Sequence, residues 1–475
     1  MNLTMMDMSR VGYIITAIII AAVLTITTVI PIMHEVTHHK VTNQQYTYLT
    51  ELLEGIPTPS VCIISYGASP YVSNLTANLG KLGVPYVMMN AVTNESVTKC
   101  SMLVISAGWL DQFGSSYKPA IIHALESGIP IEAVGPNAGN ALLNVIGDFI
   151  SEKAAVVVGV PTGHGKQLKP EVPSSVTALG IVMIPLKNAT RLPTGWSIYE
   201  GVPASNVTYT VLRTWREYNE ALSRVKSTLA LPLPLLTAAL PPKILFQTSG
   251  SSLQVNIQGF NYVGYIGLYQ TQYYDWYGNL AGEQELRVDF YYTTANNYYF
   301  FLNLIKHGVI GFNPPDPSTS FIPCYAGEGV NAYSTEYPGR VWFQAAPTGS
   351  ATSQKTISYS VGITNIASVT VTDYITSGTV GWNYLGLWTE GQDTWRWSFQ
   401  NPSTETTYEL VPGDIWQLDP AKFGGEPPLY ETINATAGVA NIEWWPGYYQ
   451  CNYMPPISVT VDAYPTYTQV LQVNT

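Results

Sequence analysis

SMLVISAGWLDQFGSSYKPAIIHALESGIPIEAVGPNAG, residues 101–139, is the stretch on which the reading of the fold turns. Met102–Ser106 is apolar without alternation, as a strand covered on both faces must be. Residues 119–127 carry helical spacing, opened by Pro119 and closed by Gly128. Ile131–Val134 is a second short apolar run. Strand, helix and strand in one stretch are the texture of a unit with a parallel sheet.

The same texture extends on both sides. Residues 61–66 (VCIISY) predict a buried strand, Pro70–Leu82 a helix and Tyr86–Met89 a strand. Residues 155–160 and 181–184 predict further strands, and 214–227 a helix. Residues 59–230 are therefore expected to form a flavodoxin-like α/β domain with a doubly wound parallel sheet. Four prolines in residues 231–243 (LPLPLLTAALPPK) predict a stiff linker. Beyond it the pattern alternates, at 252–257, 286–291, 355–363, 368–374 and 457–462. Nine of the twelve Trp and 23 of the 33 Tyr lie in this part. Residues 244–475 are expected to form one or two antiparallel β-sandwich domains.

Residues 13–32 (YIITAIIIAAVLTITTVIPI) hold no charge and are long enough, as a helix, to cross a bilayer. They predict a transmembrane helix, with residues 1–12 as a cytoplasmic stub and 33–58 as a stalk. No A-x-A site follows, which favours a retained anchor over a cleaved secretory signal. A pilin-type leader, cut near Arg10 and Val11 so that the helix enters a filament core, is the third reading. Arg10 before the run and Lys40 after it give no orientation.

The rest of the composition points outward. Charged residues are 11% of the chain and Lys plus Arg number 21, so Thr, Ser, Asn, Gln and Tyr solvate the surface. Such a surface keeps its hydration when carboxylates protonate. The 21 basic residues and six histidines limit the charge in acid to about +27. The net charge of −11 at neutral pH argues against nucleic acid as a partner. Rich in Tyr, Thr and Ile and poor in Lys, residues 60–475 resemble in composition the envelope proteins of thermoacidophilic archaea. That resemblance implies a single-pass cell-membrane protein with its bulk outside. Its partners would be the membrane, other envelope proteins or further copies of the chain, and glycans. N-glycosylation sequons begin at Asn74, Asn94, Asn188, Asn206 and Asn434, at about the frequency chance gives. Cys62, Cys100, Cys324 and Cys451 suit two disulfides in an oxidising space, with four buried thiols as the alternative. Strand order 2-1-3 would put Cys62 beside Cys100.

Residues 60–190, through the segment quoted above, also resemble the glutamine-amidotransferase-like branch of flavodoxin-type folds. That branch carries a nucleophilic Cys at a strand-to-helix elbow. The matching stretch is Val134-Gly135-Pro136-Asn137-Ala138-Gly139, where neither Pro136 nor Asn137 can attack a carbonyl. His123 and His164 have no thiol to activate. The resemblance implies the fold without the activity.

Other motifs fail in the same way. His34, Glu35 and His38 match H-E-x-x-H, yet they follow directly on the apolar run, and Glu51 and Glu54 fall short of third-ligand spacing. A solvated cluster is expected there, and no metal site. Gly163-His164-Gly165-Lys166 lacks the first glycine of a phosphate loop, replaced by Val160, and the hydroxyl residue after it, replaced by Gln167. Carboxylates stand beside aromatics at Asp275–Trp276, at Asp393 with Trp395 and Trp397, and at Glu443 with Trp444 and Trp445. These tryptophans are candidates for glycan or partner contact. Catalysis would need Asp393, Glu405, Asp414 and Glu443 to meet in one cleft. No cofactor is implied. The expected function is a non-catalytic structural or adhesive component of an archaeal envelope. A secreted acid-stable hydrolase of glycans or peptides and a pilin-like filament subunit are the alternatives.

Overall fold

The computed structural model describes residues 49–93, 98–161, 168–187, 189–229, 253–275, 278–314, 320–332, 340–375, 378–387, 391–422, 428–442 and 450–465. The chain divides into two units, Met1–Gly55 and Ile56–Thr475. Of the first, residues 49–55 form a helical turn that ends at Gly55, where φ is +74°. Among the described residues, no helix is long and apolar enough to cross a membrane. The expected single-pass location is withdrawn on that finding; residues 13–32 lie outside the described residues.

The second unit opens with β1 (Val61–Ile64), α1 (Pro70–Leu82), β2 (Tyr86–Met89), β3 (Met102–Ser106), α2 (Ala107–Glu126), β4 (Ile131–Val134) and α3 (Ala138–Lys153). Next come β5 (Val156–Pro161), β6 (Leu168–Pro170), β7 (Val176–Met183), β8 (Thr194–Glu200) and α4 (Val207–Leu229). The long strands follow: β9 (Gln254–Gln258), β10 (Asn261–Tyr274), β11 (Leu280–Ala295), β12 (Tyr298–Gly311), β13 (Phe321–Ala332) and β14 (Arg340–Ala346). Then come β15 (Ser350–Gln354), β16 (Thr356–Ile363), β17 (Ala367–Tyr374), β18 (Thr379–Leu387) and β19 (Gln392–Gln400). The chain closes with β20 (Tyr408–Leu410), β21 (Gly413–Leu418), β22 (Leu429–Asn441), β23 (Cys451–Tyr453) and β24 (Ile457–Ala463).

The expected pair of folds, a doubly wound parallel sheet and then separate sandwiches, is overturned by the strand order. One twelve-stranded mixed sheet runs β14-β21-β12-β11-β10-β8-β7-β4-β3-β1-β2, with β20 also on β12. Only β2-β1-β3-β4 at one end is a run of parallel neighbours. Next to it β4 pairs antiparallel with β7, and β7 with β8. No helix separates β7 from β8, so a right-handed crossover is unavailable and a hairpin forms instead. The sheet then continues through β10 into strands from beyond the proline-rich segment. A continuous apolar run reports burial on two faces and an alternating run burial on one; neither says which sheet the strand joins.

Local signals act as chemistry requires. Pro70 opens α1, and Gly83 closes it at φ +69° with its N–H returned to the Leu79 and Gly80 carbonyls. Pro119 lies inside α2, which starts at Ala107 rather than at the proline. Pro119 and Ser115, whose carbonyl loses the helical donor at Pro119, are both exposed, on the side of the helix where a proline is least costly. The elbow of the amidotransferase resemblance is a real turn from β4 into α3, with Gly135 and Asn137 at positive φ, but it holds no nucleophile.

Two layers cover the sheet. On one face lie α1, α4 and the small sheet β16-β17-β9. Gly180 of β7 lets α4 come close, since a Cβ there would stand 2.4 Å from Thr214 Oγ1. On the other face lie α2, α3 and a nine-stranded sheet, β15-β18-β19-β13-β22-β24-β5-β6 with β23 on β22. This sheet packs on β10, β11, β12 and β21 as a sandwich, but β5 and β6 belong to it and β10 continues into β8, so it is not the separate domain expected for residues 244–475. The disulfides Cys62–Cys100 and Cys324–Cys451 are both formed.

Candidate functional site

Polar chemistry is concentrated inside the two layers. Along α4, Arg213, Glu217, Glu220 and Arg224 recur at helical spacing on one stripe. Along β11, Glu285, Arg287 and Asp289 alternate with Leu286, Val288 and Phe290. Both stripes face inward, against each other. Asp289 accepts from Arg224 Nη1 at 2.6 Å, Lys306 Nζ at 3.0 Å and Arg287 Nη2 at 3.2 Å. Arg213 Nη2 meets Glu217 Oε1 at 2.9 Å, and Arg287 bridges Glu217 and Glu220. Burial alone would raise the Asp289 carboxyl; Arg224, Arg287 and Lys306 outweigh it and hold the group far below the ordinary carboxylate range. Burial pulls Lys306 down to about 8 against the attraction of Asp289.

Further along the same face burial outweighs the cations. Glu132 of β4 is fully buried and accepts from Thr210 Oγ1 at 2.5 Å; burial lifts its carboxyl to about 8. Glu409 on β20 is lifted to about 8 by burial and then by Asp373, and Asp373 on β17 to about 7 by burial.

The opposite face of the sheet, inside the sandwich, is acidic. Register puts Asn303 of β12 beside Asp414 of β21, with His307 further along β12. Facing them, Glu328 of β13 lies beside Trp395, Val330 beside Asp393 and Ala332 beside Glu431. Across the layers Asn303 Nδ2 donates to Glu431 Oε2 at 2.8 Å. Trp416 Nε1 donates to Asp414 Oδ2 at 3.0 Å, and the Tyr384 hydroxyl to Asp393 Oδ1 at 2.5 Å. His307 Nδ1 lies 2.6 Å from Glu328 Oε1, and Trp397 Nε1 donates to Glu328 Oε2. Gln284 gives its amide hydrogens to Thr271 and Pro455, which turns its oxygen toward His307 Nε2 at 3.1 Å. Asp414 is pushed well above the carboxylate range by burial, then by Glu431 and Asp393, against the donors Asn303 and Trp416.

Of the carboxylates proposed to converge, Asp393 and Asp414 do so, at 1% and 0% exposure. Glu405 lies apart on an exposed turn, at φ +53°. Trp395 and Trp397 are core residues, which removes them as surface contacts for a glycan. Asn74 is exposed on α1, while Asn206 and Asn434 are half-buried. His123 is exposed on α2. His34, Glu35, His38, Asn94, Asn188, residues 163–166, residues 231–243, Trp276, Glu443, Trp444 and Trp445 lie outside the described residues. Sequence reading missed Asn303, His307, Glu328 and Glu431. Their one signal was a polar residue on the apolar parity of a strand. No group of three or more His, Cys, Asp or Glu among the described residues is placed to hold a metal ion.

No family model matches the chain, and no curated protein matches it. Among solved structures, Clostridium perfringens delta-toxin is 10% identical with a TM-score of 0.25, over 45% of this chain and 93% of the toxin. The Clostridium perfringens NetB toxin in its membrane-inserted form is 8% identical with a TM-score of 0.18, over 42% of this chain and 94% of that one. Overlaps this low leave function to be read from the chain's own residues.

Proposed function

We propose that this protein is a non-catalytic structural component of an archaeal cell-envelope assembly, a lattice or a filament, working in an acidic and oxidising medium. The observation that carries the reading is the sealing of its chemistry. Asp393, Asp414, Glu328 and Glu431 are all at most 1% exposed, and Trp395 and Trp397 stand in the core with them. Groups placed there fix the packing of two sheets and meet no solute. Two disulfides and a surface solvated by neutral polar residues fit the same setting. Electron microscopy of native envelopes with labelled antibody tests it. Label in an ordered array or fibre is expected; a protein found only as a free monomer in the medium sinks the reading.

The meeting of Asp393 with Asp414 favours one second reading, an acid hydrolase whose paired carboxylates work when the layers part. Peptide and glycan hydrolysis between pH 2 and 4, abolished in Asp414→Asn, would establish it over the structural one.

A further inference from the structure

The parallel end of the twelve-stranded sheet stops at β2, and among the described residues no strand pairs with its outer edge. Tyr86, Val87 and Met88 are 37%, 53% and 49% exposed. Successive residues of a strand point to opposite faces, so apolar side chains reach water on both. Tyr66, just past the carboxyl end of the adjoining β1, is exposed as well and extends the patch. Other edge strands are treated differently. β9 shows water Gln254, Asn256 and Gln258, and β16 shows it Thr356, Ser358 and Ser360. Polar and charged residues keep an edge from adding a further strand, and β2 has none.

The backbone of β2 fixes what can pair there. Val61 N–H donates to the Pro85 carbonyl and Ser65 N–H to the Met89 carbonyl, so residues 85, 87 and 89 turn their polar groups toward β1. Tyr86 and Met88 therefore turn theirs outward. The next groups along that edge are already committed. Val84 N–H donates to the Leu79 carbonyl at 3.0 Å, and the Asn90 carbonyl accepts from Trp109 Nε1 at 2.8 Å. One two-fold register uses all that remains. Val87 lies opposite the second copy's Val87 as a non-hydrogen-bonded pair, and Tyr86 and Met88 each exchange two bonds with the other's counterpart. The side chains match in the same register, valine on valine and the tyrosine ring on the methionine thioether. A two-fold axis sets like against like, which charge would oppose, and residues 82–94 carry no charge.

We propose that β2 is a self-pairing edge, at which two copies of this chain join their twelve-stranded sheets through antiparallel β2 strands centred on Val87. The inference rests on the assembly reading and names one contact within it. A four-residue strand buries far less than the roughly 1,200 Å² of a stable complex, so the contact is weak between free copies and holds where an assembly crowds them. A two-fold contact closes on itself, so it joins copies in pairs and a lattice or fibre needs a second contact elsewhere.

Val87→Cys in the full chain supplies the test, because the four native cysteines are all held in disulfides. Opposed residues of a non-hydrogen-bonded antiparallel pair have Cα atoms about 4.5 Å apart, within reach of a disulfide. Met88 and Tyr66 are as exposed but do not face their own counterparts in this register. Mild oxidation of native envelopes is expected to yield a Val87→Cys homodimer about tenfold more abundant than that of Met88→Cys or Tyr66→Cys. Adding Met88→Pro removes an outward N–H and none of the bonds to β1. It is expected to abolish the dimer and leave the urea midpoint in place. Should that variant fail to fold, Tyr86→Lys puts a charge on the edge and is expected to abolish the dimer in its stead. An ordered array without the Val87→Cys dimer overturns the edge and leaves the assembly standing. The dimer in concentrated purified protein, with no array in envelopes, keeps the edge and sinks the assembly. Equal cross-linking of the three cysteine variants, a disulfide to a different protein, or no dimer in either preparation overturns the edge.

Discussion

The two faces of the twelve-stranded sheet hold the same residue types and treat them in opposite ways. Under α4, Glu217, Glu220 and Asp289 stand among Arg213, Arg216, Arg224, Arg287 and Lys306. There Glu220 and Asp289 are held below their ordinary range, because arginines outweigh burial. Inside the sandwich Asp414 is held above it, because burial and like charge act together. Burial is common to both faces, so the difference lies in the counter-charge. The two responses to pH have opposite signs. A lowered carboxyl contributes stability above its unfolded value and loses it as pH falls through the folded one. A raised carboxyl contributes stability below its unfolded value and loses it as pH rises. Both contributions are complete near the unfolded values, so maximum stability is expected at about pH 4, below the usual optimum of about 5–8. A urea midpoint that peaks at neutral pH would remove the distinction between the faces.

The largest single effect is expected at Asp289. Asp289→Ala leaves Arg224, Arg287 and Lys306 buried around a missing partner, a loss of about 3–5 kcal/mol in the stability read by urea unfolding at pH 5. Asp289→Asn keeps the shape and still removes the charge, so it is expected to be nearly as damaging. The same change of carboxylate to amide on the other face, Asp414→Asn, is expected to leave stability at pH 7 unchanged or higher. Equal losses at the two positions would show that burial alone governs both.

The contrast was only partly legible in the sequence. Helices and strands announce themselves: Pro70 and Gly83 frame α1, and the unbroken apolar run 61–66 contains β1. The charged stripe Arg213, Glu217, Glu220, Arg224 has the spacing of a solvated helix face, and Glu285, Arg287 and Asp289 that of a solvated strand edge. Each stripe is buried because the other neutralises it, and nothing in either segment records that they meet. Asp393 and Asp414 could be named, with Glu405 and Glu443, as carboxylates that catalysis would need in one cleft, but not as the two that meet. Glu328 and Glu431 could not, because they became members of the cluster only through the order β19-β13-β22. Strand order is a property of the whole sheet, and for the same reason the mixed sheet was read as two separate folds.

A smaller effect with a tell-tale sign is expected at Glu132, which has burial without a cation on the α4 side of the sheet. Its carboxyl moves from 4.5 to about 8, so ionisation opposes folding between those values. Glu132→Gln keeps an acceptor for the Thr210 hydroxyl. It is expected to match the parent at pH 4 and to exceed it at pH 7 by about 2–3 kcal/mol in urea unfolding. A variant less stable at both pH values would mean that Glu132 is paired as Asp289 is. Trp397→Phe asks a milder question of the sandwich. It removes the indole donor to Glu328 Oε2 and is expected to cost about 1.5 kcal/mol in urea unfolding. No loss at all would show that the indole of Trp397 serves the core by its packing and not by its bond to Glu328.

The smallest effect is expected where neither counter-charge nor burial has anything to act on. Lys118 Nζ lies 3.6 Å from Asp148 Oδ2 across α2 and α3, with the aspartate side chain 99% exposed. Water screens such a pair, and holding a long side chain in place costs entropy that offsets the attraction. Lys118→Ala is therefore expected to leave the urea midpoint unmoved at pH 4 and at pH 7. Were it to shift the midpoint as Asp289→Ala does, proximity of opposite charges would suffice for stability. The pairs under α4 would then owe nothing to their burial, and the contrast between the two faces would reduce to a difference in charge count.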